Sequence, residues 1–161
     1  MNVNATELKR NVDSPVGPLS LSVRGGRLTQ VGFTAHPGEP SDDDPLLDET
    51  ARQLGEYFSG GRTEFELPLS PPRDGLLGAV LKALAEVRYG RTVSYKVLTL
   101  AAGYPSDRVR EVGSALGRNP IAIVLPCHRV IGADGSLIGF GGGLERKRAL
   151  LDLEAPQLTL A

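Results

Sequence analysis

Cysteine, histidine and arginine stand side by side at Cys127, His128 and Arg129, inside the apolar run from Ile123 to Ile131. The thiolate, not the thiol, is the nucleophile, and an adjacent base and a positive charge both favour its formation. A lone cysteine is more usually a small buried hydrophobe. Here that explanation must also find partners for an imidazole and a guanidinium, because burying either unpaired costs free energy. The segment reads as extended, so Cys127 and His128 point to opposite faces and a bridging water would relay a proton between them. The imidazole then needs a third group to fix its tautomer, commonly a carboxylate. Asp134, Glu145, Asp152 and Glu154 all follow in the chain.

Positioning these groups falls to a chain of 161 residues. That is enough for one core or two small domains, since chains of roughly 150 residues bury about 70% of their unfolded surface. With 40% hydrophobic and 23% charged residues and a formal net charge of −1, the composition excludes fibrous and disordered classes. One cysteine cannot form an internal disulfide, and with only His36 and His128 beside it the chain lacks the ligands of a structural zinc site. The N-terminus has no apolar leader, and no apolar run approaches the roughly 20 residues that cross a bilayer, so a cytoplasmic protein without membrane contact is expected. Residues 1–84 carry 8 basic and 12 acidic side chains, residues 85–161 carry 10 and 7, and the second half is the better match for a polyanion.

Leu19, Leu21 and Val23 alternate with Ser20, Ser22 and Arg24, then Gly25-Gly26 turns the chain back through Leu28 to Phe33, predicting an antiparallel meander. His36 falls in an acidic, Pro-containing connection and reads as an exposed loop histidine. A helix is expected over 45–58, a further strand over 65–69 and a linker at 70–73. The second half turns helical. Leu76, Leu77, Val80, Leu84 and Val87 mark a helix closed by Tyr89-Gly90, Ser94 caps a short helix over 95–102, and Ser106 with Asp107 opens another through Gly117. Two short helices about Gly103-Tyr104-Pro105 make a helix-turn-helix candidate, a pattern that is more often simple packing. Residues 120–131 read as extended, 132–143 as a glycine-rich loop and 144–154 as a terminal helix.

Pro126-Cys127-His128-Arg129-Val130 resembles the signature of the O6-alkylguanine-DNA alkyltransferases, also called methylated-DNA–protein-cysteine methyltransferases. Tyr89-Gly90, Val93-Ser94-Tyr95, Ala102-Gly103, Arg110 with Val112-Gly113, Asn119-Pro120, and Gly142-Gly143-Leu144 with Lys147 fall in the same order as in that family. The resemblance implies an α+β protein. A small ribonuclease-H-like N-terminal domain, residues 1–72, would precede a helical active-site domain with a helix-turn-helix, residues 73–161. It further implies a monomer that binds double-stranded DNA in the minor groove, rotates the damaged nucleotide out and takes its alkyl group once, without cofactor or metal. The lesion would be O6-alkylguanine, with O4-alkylthymine as a further candidate.

In that reading Cys127 accepts the alkyl group, His128 acts through water as base, Glu154 holds His128, and Asn119 ties the recognition helix to the cysteine segment. Tyr95 contacts the guanine and Arg110 fills the vacated stack. Val130, Phe140, Gly142 and Lys147 belong to the base-binding and DNA-binding set, and the loop over 137–142 forms a pocket wall. Phe140 stands where many members have tyrosine. Ser106 to Glu111 is bulky and charged where small residues are usual, so Arg108 rivals Arg110 for the intercalating role, and Asp107 and Glu111 would repel phosphate if they faced DNA. A noncatalytic binder of alkylated DNA is the alternative, although such relatives lack the cysteine.

Overall fold

A computed structural model describes residues 6–137 and 140–155, which fall into two units. One unit comprises Met1–Pro71 with Pro120–Val124, the other Pro72–Asn119 with Leu125–Ala161.

In the first unit β1 (Leu8–Val12), β2 (Leu19–Arg24) and β3 (Arg27–Gly32) form an antiparallel sheet in that order. Gly25 and Gly26 both take positive φ, 58° and 75°, which the two-residue hairpin turn requires and a Cβ would resist. Leu19, Leu21 and Val23 are buried as the alternation predicts, but Ser20 and Ser22 are buried as well. Their face is satisfied by Gln30, whose Nε2 donates to Ser20 Oγ at 2.9 Å and whose Oε1 accepts from Ser22 Oγ at 3.1 Å. His36 is not an exposed loop residue. It is half-buried, its Nε2 lies 2.9 Å from Leu21 O, and its backbone pairs with the Asn11 amide.

Helix α1 (Pro45–Phe58) begins where Asp44 Oδ2 accepts from the Leu46 and Leu47 amides at 2.9 and 3.0 Å, with Pro45 in the first turn. It buries Leu47, Leu54 and Tyr57. The strand expected over 65–69 does not form. Leu69 makes a single bridge to Leu28, and the Glu66 backbone pairs with the Gln53 side chain. Pro120–Val124 adds to this unit through Val31, whose N–H donates to Pro120 O at 3.0 Å and whose carbonyl accepts from Ala122 N at 2.9 Å. The extended reading of 120–131 fails just after this pairing. Ile123 adopts φ 72°, and Val124 N donates to Ala122 O at 2.8 Å, which turns the chain.

The second unit begins with α2 (Gly75–Leu84). A Cβ on Gly78 would stand 2.2 Å from the Arg73 carbonyl, so only glycine lets the preceding chain cross there. The helix stops earlier than the apolar spacing predicts, because Glu86 and Val87 bond to the third carbonyl back and tighten the chain into turns. Two short parallel strands follow, β4 (Val93–Ser94) and β5 (Val130–Ile131). Ser94 Oγ accepts from Val97 N at 3.0 Å and starts α3 (Tyr95–Ala101). Gly103, at φ 91°, and a 3-10 turn over Ser106–Arg108 lead into α4 (Val109–Leu116), which packs on α3 and α2. Helix α5 (Leu144–Glu154) is the last element among the described residues. No helix among the described residues is long and apolar enough to cross a membrane.

Candidate active site

Cys127 sits at the start of a 3-10 turn, Cys127–Arg129, which corrects the extended expectation. Pro126 sets it up. At φ −84°, ψ 68° it forms an inverse γ-turn in which Cys127 N donates to Leu125 O at 2.8 Å, and Arg129 N then donates to Pro126 O at 3.0 Å. Cys127 is left half-buried at a cavity wall, while His128 and Arg129 are buried.

Of the four carboxylates left open by the sequence, Glu154 at the end of α5 reaches the histidine. His128 Nε2 lies 2.7 Å from Glu154 Oε2. Asp134 instead accepts from Ser136 N and Oγ, and Glu145 and Asp152 are exposed. The same carboxylate is gripped by Arg129, whose Nε donates to Oε1 at 2.7 Å and Nη2 to Oε2 at 3.0 Å, while Nη1 donates to Val87 O at 2.7 Å. The Tyr89 ring lies 5.8 Å from that guanidinium, and Tyr89 OH donates to Leu153 O at 3.3 Å. Sequence reasoning read Arg129 as a positive charge beside the thiol, whereas its guanidinium is spent on Glu154. The available signal was its charge inside an apolar run, which demands a buried acceptor.

Burial lowers the pKa of His128 below the ordinary imidazole value, against the opposing pull of Glu154, so the ring is neutral at pH 7. A carboxylate only accepts, so Nε2 carries the proton, and Nδ1, buried and without a hydrogen-bond partner among the described residues, is left as the acceptor. For Cys127 the expectation of a favoured thiolate is reversed. Burial pushes its pKa up, outweighing the hydrogen bond from the Asn119 side chain and the charge of Lys147. The resting group is a thiol, so any reaction at this sulfur would need a base to take its proton.

Asn119 Nδ2 donates to Leu125 O at 2.8 Å, joining the residue that follows α4 and its C-terminal turn to the chain just before the cysteine. Tyr95, from the start of α3, has a hydroxyl whose pKa is raised, first by burial and then by Cys127. Lys147 is fully buried, donates from Nζ to Val130 O at 2.6 Å and lies 5.7 Å from the Tyr95 ring and 6.0 Å from that of Phe140. Burial lowers its pKa.

The cavity holds about 600 Å³ and is mainly apolar. Cys127, Tyr95, Arg110, Gly113, Ser114, Gly132, Ala133 and Phe140 line it. Val130 and Lys147 are packed beneath and do not line it, nor does Gly142, whose carbonyl accepts from Arg146 Nη1 at 3.0 Å. Of the loop expected to form the wall, Phe140 and Gly141 contribute, while Ile138 and Gly139 lie outside the described residues. The two rival arginines differ. Arg110 lines the cavity and makes no hydrogen bond or ion pair among the described residues. Arg108 is held by Glu111 and lies over the Tyr104 ring.

Residues 8–71 match the model of the 6-O-methylguanine DNA methyltransferase ribonuclease-like domain, and residues 77–156 that of the DNA binding domain of the same proteins. A methylated-DNA–protein-cysteine methyltransferase from Mycobacterium bovis is 45% identical over 150 residues, 90% of each chain, and one from Methanosarcina barkeri is 40% identical over 153 residues, 91% of this chain and 96% of its own. The crystal structure of Mycobacterium tuberculosis OGT in complex with DNA matches with a TM-score of 0.81 at 44% identity, covering 92% of this chain and 95% of that one. The chain belongs to the methylated-DNA–protein-cysteine methyltransferase family.

Losing one partner of a buried ion pair leaves an uncompensated charge, which costs about 3–5 kcal/mol. Arg129→Leu is therefore expected to lower stability by about that much in urea denaturation followed by circular dichroism, and Glu154→Leu added to it should restore part of the loss.

Proposed function

We propose that this protein repairs alkylated DNA by direct reversal, moving the alkyl group of O6-alkylguanine to Cys127 in a single irreversible turnover. The observation that carries the reading is a half-buried thiol opening on a cavity of about 600 Å³, with the buried His128–Glu154 pair behind it. A flipped base occupies the cavity, next to sulfur. A water passes the Cys127 proton to His128 Nδ1, and the imidazolium is stabilised by Glu154, which Arg129 keeps ionised. Sulfur attacks the alkyl carbon, the carbon–O6 bond breaks, and the electron pair leaves with guanine, which recovers a proton from the site. The product is a thioether. No second nucleophile in this scheme frees the sulfur, so the protein is consumed.

Duplex DNA is the partner, bound as a monomer through the minor groove by the α3–turn–α4 segment as a helix-turn-helix. Arg110 occupies the vacated stack, supported by its position on the cavity wall and its lack of a hydrogen-bond or ion-pair partner among the described residues. Tyr95 contacts the base, and Asn119 ties α4 to the cysteine segment. Lys147 and Val130 act from beneath, Lys147 by supplying positive charge near sulfur and Val130 by fixing the ammonium through its carbonyl. Phe140 offers a flat apolar wall, and the Gly142 backbone holds the loop to α5. A reducing cytoplasm is the setting in which such a thiol stays usable.

Incubation with duplex DNA containing O6-methylguanine is expected to add one methyl group per protein molecule, located on Cys127 by intact mass and peptide mapping. No transfer, or transfer that survives Cys127→Ala, would sink the reading.

The base must be neutral to accept a proton, and His128 titrates below its ordinary value of about 6.5. Single-turnover rates on free O6-benzylguanine should therefore stay level from about pH 7 to 8 and fall only as pH drops below about 6.5. His128→Ala should remove that fall, and Glu154→Gln should slow the reaction little further in its background.

Arg110→Ala is expected to impair repair in duplex DNA tenfold or more, on the order of 1.4 kcal/mol, while changing reaction with the free benzylated base less than twofold. Equal losses on the two substrates would remove Arg110 from the stack.

A further inference from the structure

Arg108 and Arg110 are two residues apart at the start of α4, yet their electrostatic situations differ. The Arg108 guanidinium makes a forked pair with Glu111, Nε to Oε1 at 2.5 Å and Nη2 to Oε2 at 2.7 Å, and lies 5.1 Å from the Tyr104 ring centre. Arg110 has no such hold among the described residues and lines the cavity. The local physics explains the pairing. A cation at a helix N-terminus is unfavourable against the helix dipole, whereas a carboxylate in the first turn is favourable, and Asp107 adds a second acid beside Arg108. Arg108 holds the Glu111 carboxyl below its usual pKa, so the pair stays ionised at neutral pH.

We propose that Glu111 is an internal counter-ion that keeps Arg108 off the DNA phosphates, so that the segment meets a duplex with one free arginine instead of two. The inference rests on the DNA-repair reading above. Its consequence is selectivity between duplexes. A phosphate contact stabilises damaged and undamaged DNA alike, whereas an arginine in the stack is useful only where a base has left it. Withholding Arg108 lowers the sequence-independent share of binding and leaves the damage-dependent share to Arg110. The pair is exposed and forms between flexible side chains, so the restraint is modest and should be read by salt dependence.

The test measures fluorescence anisotropy of a labelled undamaged duplex between about 50 and 200 mM salt for the wild type, Glu111→Gln, Arg108→Gln and the double variant. One added phosphate contact steepens the log–log salt slope by about 0.9, so the advantage of Glu111→Gln should shrink roughly three- to fourfold across that range. The double variant should return to the slope of Arg108→Gln, itself close to the wild type. An unchanged slope in Glu111→Gln overturns the proposal. Equal steepening with and without Arg108 also overturns it, because Glu111 would then act by plain repulsion of phosphate. Failure of the wild type to take a methyl group from duplex DNA would strike the underlying reading instead, and is scored separately by mass.

Discussion

A carboxylate only 3% exposed has to be neutralised, and the neutralisation of Glu154 organises this site. Both of its oxygens are engaged. Arg129 takes them in a fork and anchors its remaining nitrogen on Val87 O, while His128 takes one of them from the other side. Because the guanidinium cannot lose its charge, it supplies a permanent counter-charge beside the acid. The histidine can then remain neutral without leaving Glu154 unpaired, and the ring orientation follows. The γ-turn at Pro126 and the 3-10 turn after it bring His128 and Arg129, two residues adjacent in sequence, to one carboxylate.

The reactivity of the sulfur is governed by the opposite requirement. Burial keeps Cys127 protonated, while Lys147, Asn119 and nearby backbone groups favour the anion and only partly offset it. A thiol guarded in this way resists the wasteful oxidation and alkylation that a standing thiolate invites. That economy matters for a protein consumed by each event.

Much of this was legible in the residues. The bounds of α1 followed from a first-turn proline and apolar spacing, α5 spans the 144–154 expected of it, and the Cys-His-Arg adjacency marked the chemistry before any fold was in view. Choosing Glu154 among four carboxylates needed the family resemblance, because its partners stand 25 and 26 residues away. The bend through 122–129 was hidden, since a continuous apolar run has no periodicity to separate a strand from buried turns. The burial of Ser20 and Ser22 was not legible, because alternation reports polarity and a polar face can be buried if a Gln30 is there to satisfy it. The strand expected over 65–69 is reduced to the single bridge from Leu69 to Leu28, a fact that its own residues do not contain.

Ile123 holds a left-handed backbone that β-branched residues strongly avoid, with its side chain 1% exposed. Such a conformation costs on the order of 1–3 kcal/mol, and burying the side chain returns an amount of similar size, about 1.5–3 kcal/mol. Glycine would relax the torsion and forfeit the burial, and a polar replacement would keep the torsion and lose the burial too. The position is thus held by a balance in which torsional strain and burial are of comparable size. Four residues before Cys127, the backbone therefore limits which side chains this turn accepts, independently of any demand from the chemistry.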